Sequence, residues 1–269
     1  MEVITRIVDY KSRTDVFKVH PLGDIHFGTA HCAEDKIKAR VQQIKDDTFA
    51  LWIGMGDYGE FISTKDPRWD GKVIADWVDP NEIAESEIEK IVSLFKPIRS
   101  KCIGLLEGNH EDAFRKHQDG DPQKQICKRL DVPSIGYSAF VRLVFRRVCS
   151  TGGAGREFLG VVTHGNGGAI TRGAKMTRLE RFMDNFNARW YAHGHVHDII
   201  TSNKHYMELS GANKIVSLEK VGAMTGCWFR GYTQGIAPSY GEIKNYPPTG
   251  LGAPIFHFDP DGNQVSVTG

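Results

Sequence analysis

The sequence lacks paired cysteines, long apolar runs and an excess of charge of either sign. Its five cysteines are scattered, odd in number and without a C-x-x-C pair. This argues against a disulfide framework and a cysteine zinc site, and it is typical of reduced thiols in a cytoplasm. The formal net charge is +1, so we expect no global attraction to nucleic acid or anionic lipid. Any contact with a phosphate polymer must come from a local patch.

Targeting and membrane signals are also missing. The N-terminal text Met-Glu-Val-Ile-Thr-Arg has neither a basic start nor a long apolar stretch, which predicts no secretion signal. No window is apolar enough to span a bilayer, so we expect no membrane association. Together with the unpaired cysteines, these features predict a cytoplasmic protein.

The chain does contain enough apolar sequence for a large core. Of its 269 residues, 40% are apolar and 25% are charged, as is usual for a soluble globular protein. It shows no repeat, no low-complexity tract and no linker. The sequence therefore predicts one domain over residues 1–269, with a core at about 16–198 and a β-rich part at about 199–269.

Helix-like and strand-like runs alternate along the chain, which predicts an α/β fold. A helix is expected over Ala33 to Asp46, and another over Thr171 to Phe186. A helix is also expected from Pro80, with Asp79 as its cap and Glu82 in a capping box. Further along, we expect a half-exposed strand over Ser138 to Val148. A glycine-rich turn is expected to follow it, at Thr151 to Gly155.

Polar motifs follow five of the strand-like runs. Many α/β proteins place their sites at the carboxyl ends of strands, where a glycine-containing turn and then polar residues follow the strand. The five motifs are Asp24-Ile25-His26, Gly56-Asp57, Gly108-Asn109-His110-Glu111, His164-Gly165 and Gly194-His195-Val196-His197.

These residue types suit a pair of metal ions. Two divalent cations about 3.5–4 Å apart can clamp the attacking and leaving oxygens of a phosphoryl group. Such a site needs carboxylates and neutral imidazoles. Asp24 and His26 lie two residues apart, as do His195 and His197, so on an extended segment each pair leaves the same side of the chain. Asp57 follows a glycine, which permits a sharp turn that aims its carboxylate inward.

In this order, the motifs D-x-H, G-D, G-N-H-E, H-G and G-H-x-H resemble those of the calcineurin-like metallophosphoesterases, over about residues 16–198. The resemblance implies a four-layer α/β/β/α sandwich of two mixed β-sheets flanked by helices, with the metal site at strand carboxyl ends. It also implies seven metal ligands in two sets joined by a bridge: Asp24, His26 and His197; Asn109, His164 and His195; and Asp57 between them.

By the same resemblance, His110 lies near the substrate rather than on a metal. There it would stabilise the transition state or protonate the leaving oxygen. Mixed imidazole, carboxylate and amide ligands favour two Mn²⁺ ions, with Fe, Zn²⁺ or Ni²⁺ as alternatives. A water that bridges such a pair loses a proton readily and attacks phosphorus in line. The text Tyr58 to Phe61 departs from the protein phosphatase branch and is not expected to touch a metal ligand.

The motifs together predict a metal-dependent phosphoesterase, with phosphodiesters favoured over monoesters. A nuclease of the repair-exonuclease type and a phosphomonoesterase are the alternatives, and a non-catalytic interaction scaffold is a more distant one. The near-neutral charge argues against the nuclease. The text from Thr163 to Gly173 also loosely resembles phosphoesterases of phage and prophage genomes. The oligomeric state stays open.

Three residues outside the motifs are candidates for substrate binding. Arg172 begins a basic stripe that either contacts phosphate or forms a solvated face. Trp228 and Arg230 begin an aromatic and basic segment that reaches Tyr246. Its aromatics would stack on bases or pack within strands. The expected partner is a phosphate ester, with a nucleotide or nucleic acid among the alternatives.

Three residues beside the motifs have open roles. His193 is expected to support a neighbouring ligand or pack within its strand, rather than bind a metal. Glu111 and Asp112 are candidates to orient an imidazole by hydrogen bonding, with a solvated carboxylate as the alternative.

Overall fold

A computed structural model describes residues 1–64, 66, 69–148 and 155–269. The glycine-rich turn predicted at Thr151 to Gly155 lies outside the described residues except for Gly155.

Strands and helices alternate along this part of the chain. The strands are β1 (Glu2–Tyr10), β2 (Phe17–Leu22), β3 (Ala50–Gly54), β4 (Cys102–Leu105), β5 (Ser138–Arg147), β6 (Arg156–Thr163), β7 (Trp190–His193), β8 (Ile199–Leu209), β9 (Ile215–Thr225), β10 (Ile255–Asp259) and β11 (Gln264–Thr268). The helices are α1 (Glu34–Asp46), α2 (Ile83–Phe95), a 3₁₀ helix (Lys96–Lys101), α3 (Asn109–His117), α4 (Pro122–Leu130), α5 (Arg172–Asp184) and α6 (Tyr240–Ile243).

The strands form two mixed sheets. The six-stranded sheet has the order β1-β5-β6-β7-β9-β8, in which β6, β7 and β9 run parallel. The five-stranded sheet has the order β11-β10-β2-β3-β4, in which β2, β3 and β4 run parallel. An α/β fold with two mixed sheets is thus confirmed.

One apolar cluster combines residues from both sheets. Phe158 of β6 contacts Phe258 of β10 with ring centroids 5.3 Å apart, and Trp190 of β7 contacts Phe256 at 5.4 Å. A buried aromatic side chain removes about 150–250 Å² from water, which favours folding by about 4–6 kcal/mol before entropy costs. These rings hold the two sheets together.

Helices pack on other faces of the sheets. Trp52 of β3 stacks on Phe95 of α2 at 4.5 Å and donates a hydrogen bond to the Ile98 carbonyl at 2.8 Å. On the six-stranded sheet, α5 buries Leu179 and Met183 in a smaller cluster. Two further apolar clusters therefore tie the helices to the sheets.

The helix predictions are largely right, but one boundary is wrong. The α1 helix begins one residue later than expected and buries Ile37, Val41 and Ile44, as its apolar spacing indicates. The α2 helix begins at Ile83 instead of Pro80. The Asp79 carboxylate accepts a hydrogen bond from the Asn81 backbone N–H at 2.9 Å, so it stabilises a turn before the helix.

The strand-like runs that precede the motifs correspond to β2, β3, β4, β6 and β7. Because their carboxyl ends lead directly into the motifs, loops from both sheets carry the polar residues. In the described part of the chain, no helix is both long enough and apolar enough to cross a membrane.

The carboxyl group of Glu87 on α2 is buried, with 2% of the residue exposed. It accepts a hydrogen bond from the Phe61 backbone N–H at 2.7 Å. Burial is the main cause that raises the pKa of Glu87 well above its ordinary value. The neutral form therefore dominates in the folded protein well above the pH at which the unfolded chain ionises.

Replacing Glu87 by Gln should stabilise the protein increasingly as pH rises above about 4.3, the ordinary value for Glu. The raised folded pKa means that Glu87 contributes stability below its unfolded pKa and loses it as pH rises towards the folded one. The difference in the free energy of unfolding between Glu87→Gln and the unmodified protein should grow by no more than about 1.4 kcal/mol per pH unit. Urea denaturation between pH 4 and 8 measures this, with Glu89→Gln at an exposed position of the same helix as the control. Parallel pH curves for Glu87→Gln and the unmodified protein would contradict the prediction.

Candidate metal centre

The loops after β2 and β3 pair with each other beyond the end of the sheet. The Asp24 N–H donates to the Gly56 carbonyl at 2.9 Å, and the Ile25 N–H donates to the Asp57 carbonyl at 2.8 Å. The Phe27 N–H continues the pattern with the Tyr58 carbonyl at 3.0 Å. The D-x-H and G-D motifs are therefore held side by side by backbone hydrogen bonds.

Left-handed backbone conformations occur at most of the proposed ligands. The expectation that Asp24 and His26 leave an extended segment is wrong, since both have positive φ. Such a conformation reverses the local direction of the chain and is uncommon for residues other than glycine. Five of the seven proposed ligands adopt it: Asp24 (49°), His26 (56°), Asp57 (51°), His195 (70°) and His197 (51°).

The glycine before Asp57 is required by both its conformation and its neighbours. Gly56 has φ +89°, and a Cβ there would lie 2.6 Å from the Gly108 Cα and 2.8 Å from His164 Nδ1. No side chain fits in that space. Gly56 thus allows the G-D, G-N-H-E and H-G motifs to approach one another.

The proposed ligands gather into two groups. Within each group, the atoms that could bind a metal lie within 4.8 Å of one another. The groups are Asp24, His26 and His197, and Asp57, His164 and His195. The Asn109 side chain joins the second group, with its Oδ1 3.0 Å from His164 Nε2. The His195 N–H donates to Asp24 Oδ2 at 3.0 Å, which links the two groups.

Glu60 belongs to the site, although the sequence text around it was not expected to touch a ligand. Its Oε2 lies 2.8 Å from His26 Nδ1, and its backbone carbonyl lies 2.7 Å from His110 Nδ1. The side chains of His26, Glu60 and His110 also form a third group of donor atoms within 4.8 Å. Its position three residues after Asp57, still on the G-D loop, was the signal that could have identified it.

Hydrogen bonds at Nδ1 orient the imidazoles of His26, His110 and His164. A carbonyl oxygen can only accept, so Nδ1 of His164 donates to Met55 O at 2.7 Å and Nδ1 of His110 donates to Glu60 O. In His26, Nδ1 is engaged by the Glu60 carboxylate. The Nε2 atoms of His26 and His164 face His197 and Asn109, as in histidines that bind metals through one nitrogen and are oriented by the other.

The site concentrates charge in a buried place. Asp24 and Asp57 are 0% and 1% exposed. Burial by itself raises the pKa of Asp57, but His164 and His110 outweigh it and hold the pKa well below its ordinary value. Burial opposes charge on His164, but Asp57 outweighs it and raises the His164 pKa to about 10. In the same way, burial opposes charge on His110, but Asp57 and Glu60 raise its pKa.

Two donor atoms in the groups have no partner within the described structure. Asp24 Oδ1 and His195 Nδ1 are buried without a hydrogen bond. His197 Nε2 lies 3.3 Å from Asp24 Oδ1, but not in hydrogen-bonding geometry. Unsatisfied buried polar atoms are costly, and a cation in each group would satisfy the Asp24 oxygen in the first and the His195 nitrogen in the second. The buried histidine and carboxylate groups therefore fit a metal ion.

Glu111 supports the backbone instead of orienting an imidazole. It is fully buried, and its carboxylate accepts hydrogen bonds from the N–H groups of Asp57 (3.0 Å), Tyr58 (2.8 Å) and Gly108 (3.0 Å). These bonds join the G-D loop to the start of α3. Burial, together with the charge of Asp57, raises the pKa of Glu111 to about 7. Asp112 pairs with Arg115 and Lys116 on the outside of α3.

His193 lies behind the centre rather than in it. Its Nδ1 lies 2.8 Å from the Gly194 carbonyl, and its ring packs edge-to-face on Phe182 at 5.6 Å. A Cβ at Gly165, where φ is +84°, would overlap the His193 ring. Burial lowers the pKa of His193 to about 4, so the ring is neutral at pH 7. It supports the turn of the H-G motif.

The side chains of the three predicted substrate contacts pair with or pack against residues other than the proposed ligands. Trp228 is 2% exposed and belongs to a core cluster, which favours the packing role over base stacking, and its contact with substrate stays a prediction. Arg230 pairs with Asp35 at 2.7 Å and with the Cys32 carbonyl at 3.0 Å, on the side of α1. The exposed side chain of Arg172 lies 3.9 Å from Asp198, and its contact with phosphate stays a prediction.

Phe229, which the sequence reasoning missed, is the aromatic residue of this segment that reaches the centre. Its ring centroid lies 5.4 Å from that of His26 and 6.0 Å from that of His197. Alternation along an extended segment was the available signal, because Phe229 must face away from its neighbours Trp228 and Arg230. Further along, Tyr240 and Tyr246 contact each other at 5.8 Å near the surface.

No family model matches the chain, and no curated protein matches it.

Replacing Glu111 by Ala should lower the free energy of unfolding by about 2–5 kcal/mol, because it leaves three buried N–H groups without an acceptor. Urea denaturation measures the change. Asp112→Ala is the matched control on the next residue, and the loss of its surface ion pairs should cost less than about 1 kcal/mol. Equal losses for the two variants would show that the Glu111 bonds do not hold the loops.

Proposed function

We propose that the protein is a dinuclear-metal-dependent phosphoesterase of the calcineurin-like type, acting on phosphodiesters. The observation that carries the proposal is the convergence of the seven motif ligands into two linked donor groups. Asp24 and His195, which are 171 residues apart in the chain, meet there. The apolar clusters between the sheets and beneath the helices support a four-layer α/β/β/α sandwich with the centre at the strand carboxyl ends.

In this proposal the two donor groups each hold one divalent ion, and Asp57 bridges them. The Asp57 carboxylate is 3.3 Å from His164 in one group, and its backbone carbonyl accepts from the His26 N–H of the other at 3.2 Å. The mixed nitrogen and oxygen donors favour Mn²⁺, with Fe, Zn²⁺ or Ni²⁺ as alternatives. When bound, the ions would supply the Lewis acidity that activates water and neutralises the phosphoryl charge.

His110 is the residue that we assign to the substrate. Its backbone N–H donates to Asp57 Oδ1 at 2.9 Å, so the residue is fixed beside the proposed bridge. Its Nδ1 donates to the Glu60 carbonyl, so Nε2 is the ring nitrogen that we assign to the substrate. Burial opposes charge on His110, but nearby carboxylates outweigh it and raise its pKa in the metal-free site. In its protonated form the ring would be able to donate a proton to a leaving oxygen.

The charges around the centre favour a diester over a monoester. Among the residues with described positions, no lysine or arginine hydrogen-bonds or forms an ion pair with a proposed ligand, and the nearby Lys175 pairs with Asp198 at 3.2 Å. A monoester dianion carries one more negative charge than a diester and benefits more from such cations. Asn109 and His110 also begin α3, where the helix dipole offers a partial positive charge that suits a monoanion.

The protein reconstituted with Mn²⁺ should hydrolyse bis-p-nitrophenyl phosphate faster than p-nitrophenyl phosphate, as measured by p-nitrophenol release. Asp57→Asn should lower both the bound metal and the activity, because it removes charge from the proposed bridge. A clear preference for the monoester would contradict the diester assignment. Stoichiometric metal without turnover of either ester would favour a non-catalytic scaffold.

Replacing His110 by Ala should slow diester turnover by about 10²–10⁴-fold while both metals stay bound. Elemental analysis and steady-state kinetics on the same preparation separate the two effects. His117→Ala, at the exposed end of the same helix, is the control and should change neither. Loss of metal in His110→Ala would instead place His110 among the ligands, as its proximity to His26 and Glu60 permits.

A further inference from the structure

We propose that Phe229 forms a wall of a nucleobase-binding subsite beside the metal centre, so that the phosphodiester substrate is a nucleotide derivative. The inference rests on the proposed phosphoesterase function and specifies its substrate class. It assigns to Phe229 the stacking role that the sequence had suggested for Trp228.

The backbone on both sides of Phe229 is anchored. The Trp228 N–H donates to the Asp24 carbonyl at 2.9 Å, and the Trp228 carbonyl accepts from the Ala33 N–H at 2.7 Å. On the other side, the Arg230 N–H donates to the His31 carbonyl at 2.9 Å. Phe229 and Cys32 form a bridge between these bonds. The position of the ring is therefore set before any ligand binds, which reduces the entropy cost of stacking.

Alternation along this anchored segment places the Phe229 side chain opposite those of Trp228 and Arg230. Trp228 enters the core, and Arg230 turns towards Asp35. Phe229, between them, is half-buried and faces the histidines of one donor group. Its ring centroid is also 5.7 Å from that of His31, so the imidazoles of three residues lie close to the phenyl ring. The residue as a whole remains partly exposed beside them.

The chemistry of the ring selects the ligand. A phenyl ring cannot bind a hard cation in place of oxygen or nitrogen, and it cannot pair with phosphate. It does offer an apolar face on which a planar group can stack. The aromatic group that natural phosphodiesters most commonly carry is a nucleobase. Every nucleobase has a flat face that can stack on an aromatic side chain. A base linked through its sugar to a phosphoryl group at the centre would meet this wall.

The test compares adenosine 5′-monophosphate, the product that a diester of adenosine would release, with ribose 5-phosphate, which carries a hydroxyl in place of the base. Both are titrated calorimetrically into the Mn²⁺-loaded protein. The unmodified protein should bind the nucleotide roughly 5–150-fold more tightly, the range expected for one stacked base. Phe229→Leu should lose most of that ratio, and Phe229→Trp should retain it. The affinity for ribose 5-phosphate and the metal content should be the same in all three proteins.

Phe49→Leu is the matched control, since Phe49 is a partly exposed phenylalanine beside the amino end of β3, opposite the motifs. It should leave the nucleotide preference unchanged. An undiminished preference in Phe229→Leu would overturn the proposal. Equal losses of affinity for the nucleotide and the sugar phosphate, together with a loss of bound metal, would also overturn it. Such a result would mean that Phe229 only supports His26.

Diester hydrolysis on the same preparations distinguishes failure of the base subsite from failure of the proposed phosphoesterase function. Turnover of bis-p-nitrophenyl phosphate without any preference for the nucleotide would overturn the subsite and leave the phosphoesterase function intact. Absence of both turnover and binding would overturn the proposed function, and the subsite with it.

Discussion

The burial of two carboxylates, Asp24 and Asp57, is the constraint on which the rest of the centre depends. Both are almost inaccessible to water, and a buried charge is costly unless it is paired and hydrogen-bonded. The protein compensates with backbone donors from distant motifs: His195 N–H binds Asp24, and His110 N–H binds Asp57. Imidazoles supply the remaining positive potential. The need to satisfy two carboxylates thus draws loops from both sheets to one point.

The backbone of the centre is strained by the same requirement. Left-handed conformations at residues other than glycine cost of order 1–3 kcal/mol where they are unfavourable, and here they coincide with donor positions. They persist because the surrounding structure determines them. The loops after β2 and β3 are hydrogen-bonded to each other, and Glu111 binds the second loop to the start of α3. Strain and support together aim the Asp24 and Asp57 side chains inward before any ligand arrives.

Sequence periodicity predicted well those elements that periodicity specifies. The apolar stripe of α1 and the five strands before the motifs lie where expected, because burial of one face imposes a local repeat. The start of α2 was misplaced because Asp79 can cap either a turn or a helix, and only the surrounding packing selects between them. The same limit applies to Glu60 and Phe229, whose importance lies in contacts with residues far away in the chain.

The sequence by itself determined the inventory of donors, their order and their position after strands, because motif and strand are read from adjacent residues. Only the tertiary structure decided how those donors face one another. It placed Glu60 against His26, set Glu111 to hold the backbone, and turned Phe229 rather than Trp228 towards the centre. The physical reason is that each of these roles depends on pairing between segments remote in sequence. Local residue patterns specify which face a side chain takes, but not which partner it meets there.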